Sequence, residues 1–218
     1  LNTQRPPVDD VRVRKALAMS VDRDKLVRSV LQNTAVPAYS ITPPDTLGYF
    51  PPKLFDYNPD EARRLLAEAG YPNGDGWPGV EILYNTQEAH RKIAVAIQQM
   101  WKSELGIDVT ISNQEWKVYL DAVTQIDFQV ARRGWIGDYV DANNFLDMFI
   151  TGGGNNNTHY ADPVYDDLIL YKAPKAVTRE ERYALFTQAE TMLMEEMPII
   201  PLYTYTSKHL IHPSVDGL

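Results

Sequence analysis

The residues best equipped for chemistry lie in one run, Phe128-Gln129-Val130-Ala131-Arg132-Arg133-Gly134-Trp135-Ile136-Gly137-Asp138-Tyr139. A short strand pattern runs into two glycines, Gly134 and Gly137, that bracket Trp135, and a carboxylate follows at Asp138. Glycine lets a backbone approach another chain closely and adopt unusual dihedral angles. A turn of this kind can leave N–H and C=O groups free for a ligand, which is how an extended peptide joins a sheet edge. Trp135 can roof or floor a side-chain pocket, and Asp138 can hold an ammonium group through a charge-assisted bond. The same residues also fit a purely structural role, with Trp135 in the core and Asp138 capping a helix that begins near Asp141. The pattern alone leaves both readings open.

Other chemistry finds little support. The histidines are His90, His159, His209 and His212; none forms an HExxH pair, and a metal site is not expected. The turn Asn73-Gly74-Asp75-Gly76 superficially suggests a calcium loop, but its first and twelfth ligand positions fall on Tyr71 and Ile82. Gly152-Gly153-Gly154 lacks a following Lys-Ser or Lys-Thr and comes after a predicted helix, so it is neither a Walker loop nor a dinucleotide fingerprint. No G-x-S-x-G elbow occurs. The absence of cysteine removes thiol nucleophiles, thiolate metal sites and disulfides. The residues thus carry no catalytic motif and call for no cofactor. A net charge of −8 argues against nucleic acid or an anionic membrane surface as partner, since both favour basic patches. No run approaches the roughly 18 apolar residues of a membrane span.

The elements that must position these residues alternate in type. Val13, Ala16, Leu17 and Met19 share helical spacing after Asp9-Asp10, with Arg12, Arg14 and Lys15 on other faces, and Asp22 starts a second helix. Residues 36–52 hold five prolines with apolar anchors between them and read as an ordered loop. Asn58-Pro59-Asp60-Glu61 is a helix start, and Gly70 is its stop. Strands are predicted over 80–84, 107–111 and 128–131, with a long amphipathic helix over 88–105 and another over 116–124. Helices follow near 142–150, 163–171 and 179–196, and strands over 198–205 and 208–211 close the chain. This alternation predicts one compact α/β domain.

The sequence resembles the carboxy-terminal lobe of family 5 extracellular solute-binding proteins, in particular the oligopeptide-binding branch that serves bacterial ABC importers. The matching stretches include Leu1-Asn2-Thr3-Gln4, Asp10-Val11-Arg12-Val13-Arg14-Lys15-Ala16-Leu17, Ala67-Glu68-Ala69-Gly70, Leu83-Tyr84-Asn85-Thr86, Asn113-Gln114-Glu115-Trp116-Lys117 and Asn155-Asn156-Asn157-Thr158-His159-Tyr160. Each is weak alone; in this order they are specific.

The resemblance implies a periplasmic-binding-protein-like lobe, a mixed sheet flanked by helices, covering residues 1–218. It also implies that an amino-terminal lobe and final return strands belong to the architecture beyond these residues. It implies a monomeric, non-enzymatic protein of the periplasm, or an extracellular, membrane-anchored one in a Gram-positive host, that hands short peptides to the permease subunits of an ABC importer. In that branch an acid after a Gly-Trp segment binds the peptide ammonium, which places the role on Asp138. The backbone at Gly134 and Ile136 would bond the peptide main chain, and Trp116 and Trp135 would line hydrated pockets. Arg132 and His90, the latter beside Asn85, would meet carboxylates of shorter and longer peptides. Val123 and Leu31 stand where a cleft arginine and lysine are expected, and Ile136 replaces a thiol, so length and carboxylate preference are expected to differ. Related solutes such as murein peptides, dipeptides or nickel complexes, and a peptide hydrolase, are the alternatives.

Overall fold

The computed structural model describes residues 1–207 together with His212, Ser214 and Val215; the strand expected over 208–211 and the residue His209 lie outside the described residues. In chain order the elements are α1 (Val11–Met19), α2 (Arg23–Lys25, continued by a wide turn through Val30), β1 (Ala35–Pro37), α3 (Pro59–Glu68), β2 (Val80–Asn85), α4 (Glu88–Leu105), β3 (Val109–Gln114), α5 (Trp116–Thr124), β4 (Val130–Ala131), α6 (Asn143–Leu146), α7 (Pro163–Asp167), α8 (Arg179–Glu196) and β5 (Tyr203–Tyr205). The starts that the sequence marks at Asp10, Asp22 and Asn58 are built as expected, each accepting a bond from a backbone N–H of the first helical turn, and Asp162 and Thr178 cap α7 and α8 in the same way. Two strands are shorter than predicted, 128–131 pairing only at Val130–Ala131 and 198–205 only at Tyr203–Tyr205, while 80–84 extends to Asn85 and 107–111 is shifted to Val109–Gln114.

The sheet is built from two crossovers of opposite direction. β2 lies centrally, parallel to β3 on one side and to β4 on the other, giving the order β3-β2-β4. A central parallel strand is covered on both faces and reads as a continuous apolar run, and Ile82, Leu83 and Tyr84 are all buried. Ile82 and Tyr84 pack in one cluster with Ile93, Ile97 and Trp101 of α4, while Leu83 packs in another with Tyr119 and Val123 of α5. The two connecting helices therefore cover opposite faces, the arrangement of a doubly wound α/β unit. α1 and α3 join the α4 side through Val13, Leu17, Ala62 and Leu66. A second core forms among α6, α7, α8 and Tyr49, and β1 with β5 makes a separate antiparallel ribbon. The expected α/β lobe is what forms.

Two buried guanidiniums join the cores. Arg14, on a side of α1 away from its apolar stripe, donates to the carbonyl of Glu196 at the end of α8 (2.9 and 2.7 Å) and to those of Val8 (3.0 Å) and Asp9 (2.7 Å). Arg23 donates to the Pro201 carbonyl (2.7 Å) and to those of Ala18 and Val21 (both 3.0 Å), between the rings of Tyr39 and Phe55. Long cations enter an interior when such carbonyls satisfy their fixed fork of donors.

A buried acid fixes the loop between β1 and α3. Glu190 of α8 is fully buried and accepts from the Thr42 N–H and the Tyr49 hydroxyl, both at 2.9 Å. Burial raises its pKa to about 7, against the lowering effect of Thr42 and Tyr49, and no cation is among its influences. Tyr165, the other titratable group influenced by Glu190, is itself buried and donates to the Leu146 carbonyl. A raised acid pKa means that folding takes up a proton. The stabilisation is therefore complete below about pH 4.5, the ordinary glutamate value, and is lost as pH rises through about 7. Denaturant unfolding at pH 5 and pH 8 checks this: the native protein should lose up to about 3 kcal/mol more stability across that interval than Glu190→Gln does. Equal losses contradict the assignment.

Candidate functional site

The carboxyl ends of the parallel strands open on one side of the sheet, where α/β folds with this change of winding direction bind ligands. β2 ends at Asn85 and β3 at Gln114, and β4 pairs Ile82 with Val130 and Leu83 with Ala131 before pairing stops. The final ladder bond runs from the Arg132 N–H to the Leu83 carbonyl at 2.8 Å. Beyond it the chain changes character. Among the described residues, no main-chain N–H or C=O of residues 133–138 takes part in a hydrogen bond. This open stretch forms a wall of a cavity of about 510 Å³, lined also by Ala38, Ile41, Phe149, Tyr203 and Tyr205.

The bracketing glycines are explained by close approach rather than by unusual dihedrals. Neither Gly134 nor Gly137 has a positive φ. A Cβ on Gly134 would lie 2.8 Å from the Tyr205 hydroxyl, and one on Gly137 would lie 3.2 Å from the Phe145 ring. The first absence of a side chain brings β5 against the segment; the second seats the segment on α6.

Arg132 is half-buried and donates to the hydroxyls of Tyr205 and, at 3.3 Å, Tyr203. Burial works against its charge, but the two phenols outweigh it and its pKa is raised. Its carbonyl accepts from the Tyr119 hydroxyl. Trp116 stacks on Tyr119, with centroids 5.9 Å apart, and leaves 53% of its surface exposed. His90 shares a hydrogen bond of 2.8 Å between Nδ1 and the Asn85 Oδ1. Burial, and next the charge of Arg132, push the His90 pKa down to about 4, so the imidazole is neutral at pH 7. A guanidinium held by neutral phenols beside a neutral imidazole can accept an anion without first breaking an ion pair.

At the other end of the segment, Trp135 is half-buried against the second core and its Nε1 donates to the Asn144 Oδ1 at 2.8 Å. The capping role considered for Asp138 belongs instead to Asp141, whose Oδ1 accepts from the Asn143 N–H at 2.8 Å. Asp138 is exposed, and its charge, after burial, contributes to raising the pKa of the neighbouring Asp147. Ile136 is 81% exposed. Arg132, Gly134, Trp135 and Ile136 thus share the cavity wall. His90, Asn85 and Trp116 connect to it through the surroundings of Arg132, and Asp138 stands just past its end. The sequence reading missed Tyr203 and Tyr205; their signal was the i, i+2 repeat, which places both on one face of a strand.

The sequence profile described as bacterial extracellular solute-binding proteins, family 5 Middle, matches residues 1–157. The chain belongs to this family. Over 223 residues it is 40% identical to the periplasmic oligopeptide-binding protein OppA of Escherichia coli K12, covering 100% of this chain and 41% of that protein. It superimposes on the unliganded open form of the murein tripeptide-binding protein MppA with a TM-score of 0.91 at 40% identity, covering 97% of this chain and 42% of that one. On Haemophilus influenzae OppA in complex with the peptide RPPGFSPFR the TM-score is 0.86 at 36% identity, covering 94% of this chain and 41% of that one. The family 5 chain described here therefore spans about two fifths of the length of these relatives. No helix among the described residues is long and apolar enough to cross a membrane.

The electrostatic link between Arg132 and His90 is directly measurable. In NMR titration the His90 imidazole should titrate near pH 4, and Arg132→Gln should move its pKa upward toward the ordinary 6.5. An unmoved His90 pKa in the variant contradicts the link.

Proposed function

We propose that this chain is one lobe of a two-lobed substrate-binding protein that delivers short peptides to an ABC importer outside the cytoplasmic membrane, working as a monomer and without catalysis. The observation that carries this reading is the main chain of residues 133–138 at the carboxyl edge of the sheet, unbonded among the described residues. Backbone groups left free along an extended segment match the one feature that all peptides share, their own N–H and C=O groups. Asp138 receives the ligand ammonium, the 134–136 backbone bonds the main chain, and Arg132 takes the terminal carboxylate of a short peptide. His90 and Asn85 stand farther along for a longer one. Trp116, Trp135 and Ile136 face side chains. Wide cavities let water mediate those side-chain contacts, and water adapts its bonds to different groups, so affinity comes without sequence selectivity. The peptide-binding names of the relatives agree with this reading.

Both charged ends are accessible in the lobe itself, so a second lobe must desolvate them by closing over the ligand. Calorimetry on the two-lobed protein with tri-alanine and its N-acetyl form tests the assignment: acetylation should greatly weaken binding. Asp138→Ala should cost roughly 3–5 kcal/mol of binding free energy, because the ammonium is then enclosed without its counter-charge. Equal affinities for the free and acetylated peptides contradict the role of Asp138.

A further inference from the structure

Arg133 follows Arg132 along the cavity wall but has a different setting. The Arg132 guanidinium is held by two phenols. The Arg133 guanidinium has no ion pair among the described residues. Nor do the side-chain hydrogen bonds around the segment, those of Tyr119, Arg132 and Trp135, include it. Acids outnumber bases 29 to 21 in the chain, yet none of them pairs with Arg133 among the described residues. Successive residues of an extended segment point to opposite sides. Arg132 turns to β5, and Arg133 turns to the side of α5, where Tyr119 is the titratable group close enough to influence it. Tyr119 is buried, and the stacked Trp116 beside it is exposed. Arg133 keeps solvent access through the cavity, yet surrounding protein atoms lower its pKa by desolvation. An exposed cation on the cavity wall, with no counter-charge among the described residues, is placed to receive an anion.

We propose that Arg133 is a specificity-determining residue that binds the carboxylate of an acidic side chain near the carboxyl end of the peptide, so that this protein favours ligands with Asp or Glu there. The proposal rests on the peptide-binding reading. With the ligand ammonium at Asp138 and its terminal carboxylate at Arg132, the ligand residues closest to Arg133 are those at the carboxyl end. Arg132 and Arg133 then bind two anions from opposite sides of one segment.

Calorimetry on the two-lobed protein decides it, using Ala-Glu-Ala against Ala-Gln-Ala and Ala-Ala-Glu against Ala-Ala-Gln. In the native protein at least one acidic peptide should bind about tenfold or more tightly than its amide partner, a ratio that shrinks with added salt. Arg133→Gln should bring that ratio close to one. A native ratio near one at both positions overturns the proposal, as does a ratio that survives in Arg133→Gln. Binding of the amide peptides by the native protein separates the two claims: if they bind and the ratio is one, only Arg133's role falls. If none of the four binds, the peptide-binding reading falls and Arg133's role falls with it.

Discussion

The hydrogen bond from the Arg132 N–H to the Leu83 carbonyl marks where the sheet stops and the site begins. Up to that bond, β4 is held in parallel register against the central strand, so the direction of the chain leaving it is fixed. After it, six residues run along the carboxyl edge of the sheet without main-chain partners among the described residues. Helices covering opposite faces of β2 create the change of winding that leaves this edge uncovered. Loss of register by one residue would turn Arg132 away from β5 and toward α5. The site therefore depends on packing around Ile82, Leu83 and Tyr84, none of which needs to touch a ligand.

The charge layout follows from the same geometry. At the β4 end, Arg132 is oriented by Tyr203 and Tyr205 and adds to the burial that keeps His90 neutral. At the far end, Asp138 is exposed and close enough to influence Asp147. Positive and negative ends joined by open backbone complement an extended zwitterion. Gly134 lets the Tyr205 hydroxyl approach the segment, where a Cβ would oblige that exposed side chain to shift.

Much of this was legible in the sequence because the signals are local. Asn58-Pro59 before an amphipathic stretch and Gly106 after one define helix ends by backbone chemistry alone, and α4 and α5 have the predicted bounds. The segment around Trp135 stood out by composition, and long-range resemblance supplied its roles. What the sequence did not reveal depends on tertiary partners. Arg14 and Arg23 look like ordinary solvated cations until distant carbonyls at Glu196 and Pro201 come into reach. Glu190 looks like an exposed helix acid until the Thr42 loop folds over it. The strand that carries Tyr203 and Tyr205 is legible, but their contact with Arg132 depends on a segment 71 and 73 residues away, and the bracketing glycines suggest unusual dihedrals where their close neighbours are the Tyr205 hydroxyl and the Phe145 ring.

The most direct test of the open segment as a peptide site is a crystal structure of the two-lobed protein with a bound tripeptide. The peptide main chain should lie along residues 134–136 within hydrogen-bonding distance, with its ammonium on the Asp138 carboxylate and its terminal carboxylate on Arg132. A peptide seated elsewhere, leaving the 133–138 backbone free of ligand bonds, contradicts the assignment.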